Sequence, residues 1–301
     1  MPLIDVIQAL AIVVAWGVNF VVIKWGVAGV PPLLLGALRF SLVAFPAVFF
    51  IKRPALPWRY LALYGLTVGV GQFGCLFTAI KLGMPAGLAS VVLQSQAFFT
   101  LLFARVFLDE RWQRSQLIGA ALALLGLALI GAGKGGGMTA LGFGLTIAGA
   151  SSWAASNVVV RAMGRAGYRV APLGLVIWSS LIPPIPFLLL SWQLEGGEQI
   201  LAALRGFNPQ SLFAVVYLAV VASMFGYGLW SRLLTRHAAG KVAPFSLLVP
   251  VVGLIASHLL LGESLSLAQM AGSGMLMAGL AASVFGGRLV SGWRALVASR
   301  A

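Results

Sequence analysis

Long apolar runs separated by short polar segments dominate this 301-residue chain. Each run is about 17 to 25 residues long, which is enough for an α-helix to cross a hydrocarbon core about 30 Å thick. The runs do not alternate apolar with polar residues, so a membrane β-barrel is excluded. We therefore predict ten membrane-spanning helices, over residues 3–23, 32–51, 60–80, 85–107, 115–132, 139–160, 171–192, 211–231, 242–261 and 267–286.

Composition supports a protein that lives in lipid. Hydrophobic residues make up 60% of the chain and charged residues 9%, whereas soluble domains carry roughly 25% charge. We predict an all-α integral membrane protein. A net charge of +14 would indicate nucleic acid in a soluble chain, but here the basic residues lie between the predicted spans. The expected partner is therefore the lipid bilayer and no nucleic acid. The single cysteine, Cys75, excludes an intramolecular disulfide and a cysteine-based metal site.

The basic residues are divided unequally between the two sides of the predicted bundle. Fourteen lie in loops after spans 2, 4, 6 and 8 or in the C-terminal tail. Four lie on the opposite side, namely Lys24, Lys81, Lys134 and Arg205. Loops rich in lysine and arginine stay in the cytoplasm. We therefore expect cytoplasmic N- and C-termini, with Lys134 outside.

One motif occurs twice, 153 residues apart, each time at a short polar turn after an apolar run. The matched pairs are Glu110 and Glu263, Gln116 and Gln269, Gly119 and Gly272, and Gly126 and Gly279. Five spans form each copy, and because five is odd the second copy enters the membrane from the opposite face. Inverted repeats are typical of secondary transporters with a site between the halves. We predict two inverted five-helix repeats around a central cavity, over residues 1–134 and 135–287, and a basic cytoplasmic tail over 288–301.

The chain resembles the drug/metabolite transporter superfamily, specifically its EamA-type ten-helix exporters. The resemblance rests on the repeated Glu, Gln, Gly and Gly pattern, on the segment Trp16 to Phe20 and on Leu38 to Phe40. Within the superfamily the chain is most similar to bacterial aromatic amino-acid exporters. This implies a bacterial inner-membrane transporter that exports amino acids, aromatic and other neutral ones, and related small metabolites by alternating access. It implies no cofactor, and a neutral or zwitterionic amino acid as the small-molecule partner.

Other functions are weighed against this interpretation. Export of drugs or other small metabolites fits the same architecture. A sugar-phosphate or nucleotide-sugar carrier should carry lysine or arginine pairs inside its spans to bind phosphate, and only Arg39 approaches that pattern. An intramembrane enzyme needs a nucleophile with a base, or a metal cluster, and the predicted spans supply neither. We predict no catalytic residue, no metal site and no enzymatic activity, in a monomer or weak dimer.

Aromatic and amide side chains deep in the predicted spans are the candidates for the substrate site. Trp16 and Trp153 occupy equivalent repeat positions, and Asn19 and Asn157 follow them within one helical turn. An indole and an amide suit an amino acid, through ring contacts and hydrogen bonds to its polar ends. The alternative is helix packing with amide bonds between helices. The remaining substrate-binding candidates are Gln72, Phe73, Ser95, Gln96, Tyr227 and Ser246.

For other polar and aromatic residues, the sequence predicts mainly where the side chain lies. Gln94 and Gln96 point in different directions on an α-helix, so at most one should share a cavity with Ser95. Arg39, about 10 Å into span 2, is expected to be structural or to reach the headgroups by snorkelling, with a substrate carboxylate as the alternative partner. Trp230 is expected in the aromatic belt near the end of its span. A pocket of uncharged groups then suits a zwitterion.

All six acidic residues lie at span ends or in loops. Glu110 and Glu263 are predicted to be structural hinge residues that cap the N-termini of spans 5 and 10. Proton-coupled carriers keep a carboxylate in mid-membrane. Because the predicted spans hold none there, movement down the substrate's own gradient is favoured over proton antiport.

Overall fold

The computed structural model describes residues 1–133 and 137–298, with residues 287–298 as backbone only. The described residues form helices and no strand, which confirms the predicted all-α membrane class. Among them, nine helices are long and apolar enough to cross a membrane, and the count reaches ten if one bent pair of helices is taken as a single span. Lys134 and the predicted boundary between 134 and 135 lie outside the described residues, as do positions 299–301 of the predicted tail.

Four spans are single helices, and two others are interrupted near a proline. Spans 1, 5, 6 and 10 are the helices Leu3–Gly29, Arg114–Ala132, Ala140–Arg165 and Leu267–Ala298. Span 2 comprises the α-helix Pro32–Ala44 and the 3-10 turn Ala47–Phe49. Span 7 is the pair Pro172–Ser179 and Pro184–Leu194, bent by 43°. A short amphipathic helix, Gly197–Arg205, follows it.

Spans 3 and 8 contain π-helix, and spans 4 and 9 contain 3-10 helix. Span 3 runs through Trp58–Tyr64, the π-helix Gly65–Phe73 and Gly74–Lys81. Span 8 repeats that order as Pro209–Val216, the π-helix Tyr217–Phe225 and Gly226–Arg236. Span 4 runs through Ala86–Val92, the 3-10 turn Leu93–Ser95 and Gln96–Leu108. Span 9 runs through Ala239–Val242, the 3-10 helix Ala243–Leu248 and Val249–Leu261. Departures from α geometry are common at functional sites.

The glycines of the repeated motif form the contact between spans 5 and 10. A Cβ atom on Gly126 would lie 2.6 Å from the carbonyl oxygen of Gly272, and one on Gly272 would lie 2.5 Å from that of Gly126. Gly119 and Gly279 face each other in the same way. An early residue of one helix thus meets a late residue of the other, so the two spans run antiparallel. Small residues of this kind let membrane helices approach closely.

The glutamines of the motif cap the helices that form this contact. Gln116 Oε1 accepts the Gln113 backbone N–H at 2.8 Å, which closes a capping box at the start of span 5. At the start of span 10, Gln269 Oε1 accepts the Ser266 backbone N–H at 3.0 Å. The side chain of a glutamine three residues after the N-cap residue is long enough to accept a hydrogen bond from the N-cap backbone N–H.

The prediction that Glu110 and Glu263 cap spans 5 and 10 is wrong. The face at which span 1 begins is termed the N-face, and the opposite one the far face. On the far face, Glu263 accepts the backbone N–H groups of Ala86 at 2.8 Å and Gly87 at 2.9 Å, at the start of span 4. On the N-face, Glu110 forms ion pairs with two arginines of span 6. Both glutamates precede the caps of spans 5 and 10 by three residues, too far to replace Gln116 and Gln269.

A third carboxylate supports the far face in the same manner. Glu195 accepts the backbone N–H of Leu33 at 2.7 Å and that of Leu34 at 3.3 Å, at the start of span 2. The free N–H groups of a helix start favour an anion. Spans 2 and 4 are therefore each held at the far face by an acid that follows a span of the second half.

Candidate functional site

A cavity of about 310 Å³ lies in the middle of the bundle. Its volume falls at the lower end of the range typical of small-molecule sites. Its lining includes nine of the ten predicted substrate-binding residues, namely Trp16, Asn19, Gln72, Phe73, Gln96, Trp153, Asn157, Tyr227 and Ser246. The structure brings them together from spans 1, 3, 4, 6, 8 and 9. Span 2 joins them through Arg39.

Ser95 is the candidate that does not line this cavity. Its side chain faces a separate apolar cavity between spans 4 and 5. Gln94 and Gln96 both line the central cavity instead, so neither of them shares a cavity with Ser95, although they were expected to point in different directions. The 3-10 turn over Leu93–Ser95 is the reason. Residues two apart are separated by about 160° around an α-helix, but by about 120° at three residues per turn.

Aromatic rings form one wall of the cavity. The Trp16 ring centroid lies 5.4 Å from that of Tyr227 and 5.3 Å from that of Trp230. The Trp16 indole N–H donates to the carbonyl of Ala222 at 2.9 Å, inside the π-helix of span 8. Trp230 therefore belongs to the cavity, and its assignment to the aromatic belt is wrong. Span 8 continues beyond Trp230 as far as Arg236, so Trp230 does not lie at the end of its span.

Amide groups form the opposite, polar part of the lining. Asn157 donates through Nδ2 to Gln96 Oε1 at 2.8 Å and to Thr100 Oγ1 at 3.1 Å, which links spans 4 and 6. Asn19 Oδ1 and Gln72 Oε1 are buried and have no hydrogen-bond partner. Most buried polar atoms in proteins are paired, because an unmade bond is costly there. Two unpaired acceptors in one cavity wall are therefore suited to donors of a bound molecule.

Arg39 lines the central cavity and is 2% exposed. The guanidinium therefore does not snorkel to the headgroups, which was one of the roles expected for it. Nη2 donates to Ser223 Oγ at 3.0 Å, and Cζ lies 3.8 Å from the centre of the Phe73 ring. The sequence shows how far Arg39 lies from the end of span 2, but it does not show which way the side chain points. The sequence interpretation also did not include Tyr64, which lines the cavity from span 3.

A larger cavity of about 890 Å³ lies at the far-face ends of spans 1, 2 and 3, beside the amphipathic helix Gly197–Arg205. Its two charged side chains are already engaged. Lys81 donates to the Val27 carbonyl at 2.7 Å, and Glu195 caps span 2. Among the described residues, no buried and unpartnered side-chain polar atom belongs to its wall. The central cavity, with several such atoms, is the better candidate site.

The starts of spans 4 and 9, which lie at opposite faces of the bundle, are packed differently. Every residue from 84 to 95, around the start of span 4 at the far face, is buried. The corresponding part of span 9, at the N-face, is looser, since Ala243 and Leu248 are exposed and the residues between them are half-buried. The two halves therefore differ in packing although their helices follow the same order.

Comparison with known proteins assigns the architecture to a family. Residues 3–132 and 140–285 each match the EamA-like transporter family. A probable amino-acid metabolite efflux pump of Salmonella typhimurium is 52% identical over 287 residues, covering 95% of this chain and 96% of that protein. A protein of the same description from Escherichia coli is 48% identical over 295 residues, covering 97% of both chains.

A solved structure, described only as the crystal structure of a protein, superimposes with a TM-score of 0.62 at 19% identity, covering 92% of this chain and 94% of the other. At that identity the likeness concerns the fold alone. The family matches cover both halves of the chain, and the two efflux-pump relatives cover nearly all of it. The chain is therefore a multi-pass membrane protein that belongs to the EamA-like transporter family.

Proposed function

We propose that this protein exports neutral amino acids, aromatic ones included, from the bacterial cytoplasm across the inner membrane. The observation that carries the proposal is the central cavity, where indole rings face buried amide oxygens without partners. The ring of an aromatic amino acid can pack against the indole rings, and its ammonium group can donate hydrogen bonds to the amide oxygens. The two relatives described as probable amino-acid metabolite efflux pumps support the same substrate class.

The proposed orientation places the N-face in the cytoplasm. The spans predicted from the sequence put fourteen basic residues on that side and four on the other, and excess lysine and arginine mark cytoplasmic loops. Two inverted halves, over residues 1–134 and 135–287, would exchange conformations around the cavity. The antiparallel course of spans 5 and 10 supports the inversion. The tight packing at the start of span 4, compared with span 9, supports a state open toward the N-face.

Export is proposed to run down the gradient of the substrate. Among the described residues, the acidic side chains lie at span ends or in loops, and none lines the cavity. A carrier driven by protons keeps a titrating carboxylate near its site. The site residues proposed for amino-acid binding are those nine that line the cavity, while Glu110 and Glu263 hold helix ends.

The test is flux through the purified protein in liposomes. Vesicles preloaded with labelled L-phenylalanine, L-leucine or L-alanine should release label faster than protein-free vesicles. Trp153→Ala should slow phenylalanine release about fivefold and alanine release less, because one aromatic contact is worth about 1 kcal/mol beyond its area. Trp192, 65% exposed on span 7, provides the control variant Trp192→Ala. Release of no amino acid above the protein-free rate would refute the proposed function.

A further inference from the structure

The central cavity carries a positive charge with no counter-ion from the protein. Of the side chains that line it, only Arg39 is formally charged. The buried or half-buried carboxylates of the described chain are engaged elsewhere. Asp5 contacts His237, Glu110 pairs with arginines of span 6, and Glu195 and Glu263 cap helix starts. The remaining acids, Asp109 and Glu198, are exposed at span ends or on the surface helix.

The guanidinium is also incompletely hydrogen-bonded. It presents five N–H donors, and Nη2 uses one of them on Ser223 Oγ. Nε and Nη1 are buried and have no partner. The Phe73 ring covers the face of the group, at 3.8 Å from Cζ, and so contributes a cation–π contact. Such a contact does not satisfy the N–H groups on the edge, and an unpaired buried charge is strongly unfavourable.

The unpaired atoms in the wall are of two complementary kinds. Arg39 supplies donors at Nε and Nη1, whereas Asn19 Oδ1 and Gln72 Oε1 supply acceptors. A carboxylate requires donors and an ammonium requires acceptors. Arginine binds a carboxylate through two parallel hydrogen bonds, which are among the stronger ones in proteins. In the guanidinium plane such a pair comes from Nη2 together with either Nε or Nη1, and Nη2 has a second N–H besides the one that it donates to Ser223. The cavity thus holds a match for both ends of an α-amino acid.

We propose that Arg39 binds the carboxylate of the substrate, while the amide oxygens of Asn19 and Gln72 accept hydrogen bonds from its ammonium group. The inference rests on the proposed function and narrows it, since the substrate must keep a free carboxylate. The aromatic wall of Trp16, Tyr227 and Trp230 then receives the side chain. This arrangement replaces the expectation of an uncharged pocket.

A structural role for Arg39 leads to different expectations. A structural arginine in a membrane interior is paired with carbonyl or carboxylate oxygens, and its loss destabilises the protein. An arginine that waits for a ligand is unpaired in the empty protein, so its replacement by methionine of similar length should raise the melting temperature. The same change should abolish stabilisation by carboxylate ligands. The melting temperature without ligand and the stabilisation by carboxylate ligands together separate the two roles.

The first experiment uses the wild-type protein in liposomes and asks which analogues compete with labelled L-phenylalanine. Phenethylamine and L-phenylalaninamide lack the carboxylate, and 3-phenylpropanoate lacks the ammonium. Both molecules without a carboxylate should compete at least about tenfold more weakly than phenylalanine, because charge-assisted hydrogen bonds are lost. Equal competition by phenethylamine would overturn the proposal. This comparison needs no variant to fold.

The second experiment removes the charge. Arg39→Met should lower phenylalanine flux at least about tenfold, and Arg39→Lys should restore part of it by keeping the charge without the planar fork. Arg105, an exposed arginine of span 4 outside the cavity, gives the matched control Arg105→Met, which should retain flux. Normal phenylalanine flux in Arg39→Met would overturn the proposal.

The third experiment measures melting temperatures in detergent and does not depend on transport. Phenylalanine and 3-phenylpropanoate should stabilise the wild type and leave Arg39→Met unchanged. Without ligand, Arg39→Met should melt higher than the wild type, and a lower value together with retained ligand stabilisation would assign Arg39 a structural role. Stronger stabilisation by inorganic phosphate than by 3-phenylpropanoate would overturn the carboxylate assignment. Should no amino acid be transported, the proposed function fails, and these melting temperatures still decide whether Arg39 binds carboxylates.

Discussion

Glu263 accepts a hydrogen bond from the backbone N–H of Gly87 at 2.9 Å, which joins the loop after span 9 to the first turn of span 4. Its other oxygen accepts the Ala86 N–H at 2.8 Å. The motif partner of Glu263 behaves differently, because Glu110 pairs with Arg161 and Arg165 of span 6. Two glutamates in equivalent sequence positions therefore hold different elements. The glutamate that caps a helix start lies at the far face, where the start of span 4 is buried.

Removing the charge of Glu263 should loosen the far face. Glu263→Gln keeps one carbonyl oxygen but turns an NH₂ group toward the second backbone N–H. The loss of a hydrogen bond to a charged group should lower the free energy of unfolding by about 1.5–3 kcal/mol. The measurement is the melting temperature in detergent. Glu198→Gln, on the exposed surface of helix Gly197–Arg205, is the control and should leave it unchanged. Equal melting temperatures for both variants would contradict the cap's contribution.

The contact between spans 5 and 10 should tolerate no added atoms. A methyl group at Gly126 would lie 2.6 Å from the Gly272 carbonyl oxygen and 2.8 Å from the Leu276 backbone nitrogen. Because both are backbone atoms, the helices would have to move apart, and such overpacking costs about 1–3 kcal/mol. Gly126→Ala should therefore melt at a lower temperature. Gly144→Ala, where nothing lies within 4 Å of the added atom, should melt like the wild type or slightly higher. A stable Gly126→Ala protein would contradict the observed helix contact.

The sequence alone predicts most of this fold, because the length of an apolar run is a strong constraint in lipid. The number of spans and the membrane class both follow from it. The partners of Glu263 did not follow. A glutamate at a turn predicts a nearby helix start, but the nearest start in sequence, span 10, already uses Gln269. The start of span 4 is distant in sequence and becomes a neighbour only after folding.

The candidate site was predictable by residue type and less so by direction. Uncharged polar groups and deep tryptophans in lipid-length helices face the interior, and nine of the proposed residues do line one cavity. Ser95 was misplaced because a 3-10 turn changes the angle between neighbouring side chains. The sequence left the direction of Arg39 open, because a long side chain can reach either a headgroup or the interior, and its burial against the Phe73 ring decides for the interior.

Topology gives a direct prediction. Arg111 lies in the exposed turn after span 4 on the N-face, and Gln199 is exposed on the surface helix at the far face. In a Cys75→Ser background, Arg111→Cys should react with an impermeant thiol reagent only from the cytoplasmic side, and Gln199→Cys only from outside. The difference follows from the excess of basic residues on the N-face. Reaction of both positions from the same side would contradict the proposed topology.

A further prediction concerns the coupling of transport to ion gradients. Flux of labelled phenylalanine down its own gradient should persist when the proton and sodium gradients are zero, because no carboxylate lines the cavity among the described residues. The measurement is release from liposomes with equal pH and equal sodium on both sides, with and without an ionophore. A uniporter gives equal rates in the two cases. Release that starts only when a proton gradient is imposed would contradict downhill export.

Trp230 gives the sharpest test of the aromatic wall, because its sequence position indicated a lipid-facing belt residue and the structure places its ring 5.3 Å from that of Trp16. Trp230→Ala should slow phenylalanine flux about fivefold while changing alanine flux less, since an aromatic pair contributes about 1 kcal/mol beyond buried area. Flux is measured per folded molecule, with protein quantified after gel filtration. Trp192→Ala, at a ring that is 65% exposed on span 7, should leave both substrates unchanged. Equal losses for phenylalanine and alanine in Trp230→Ala would mean that the ring supports packing of span 8 against span 1 and does not contact the substrate.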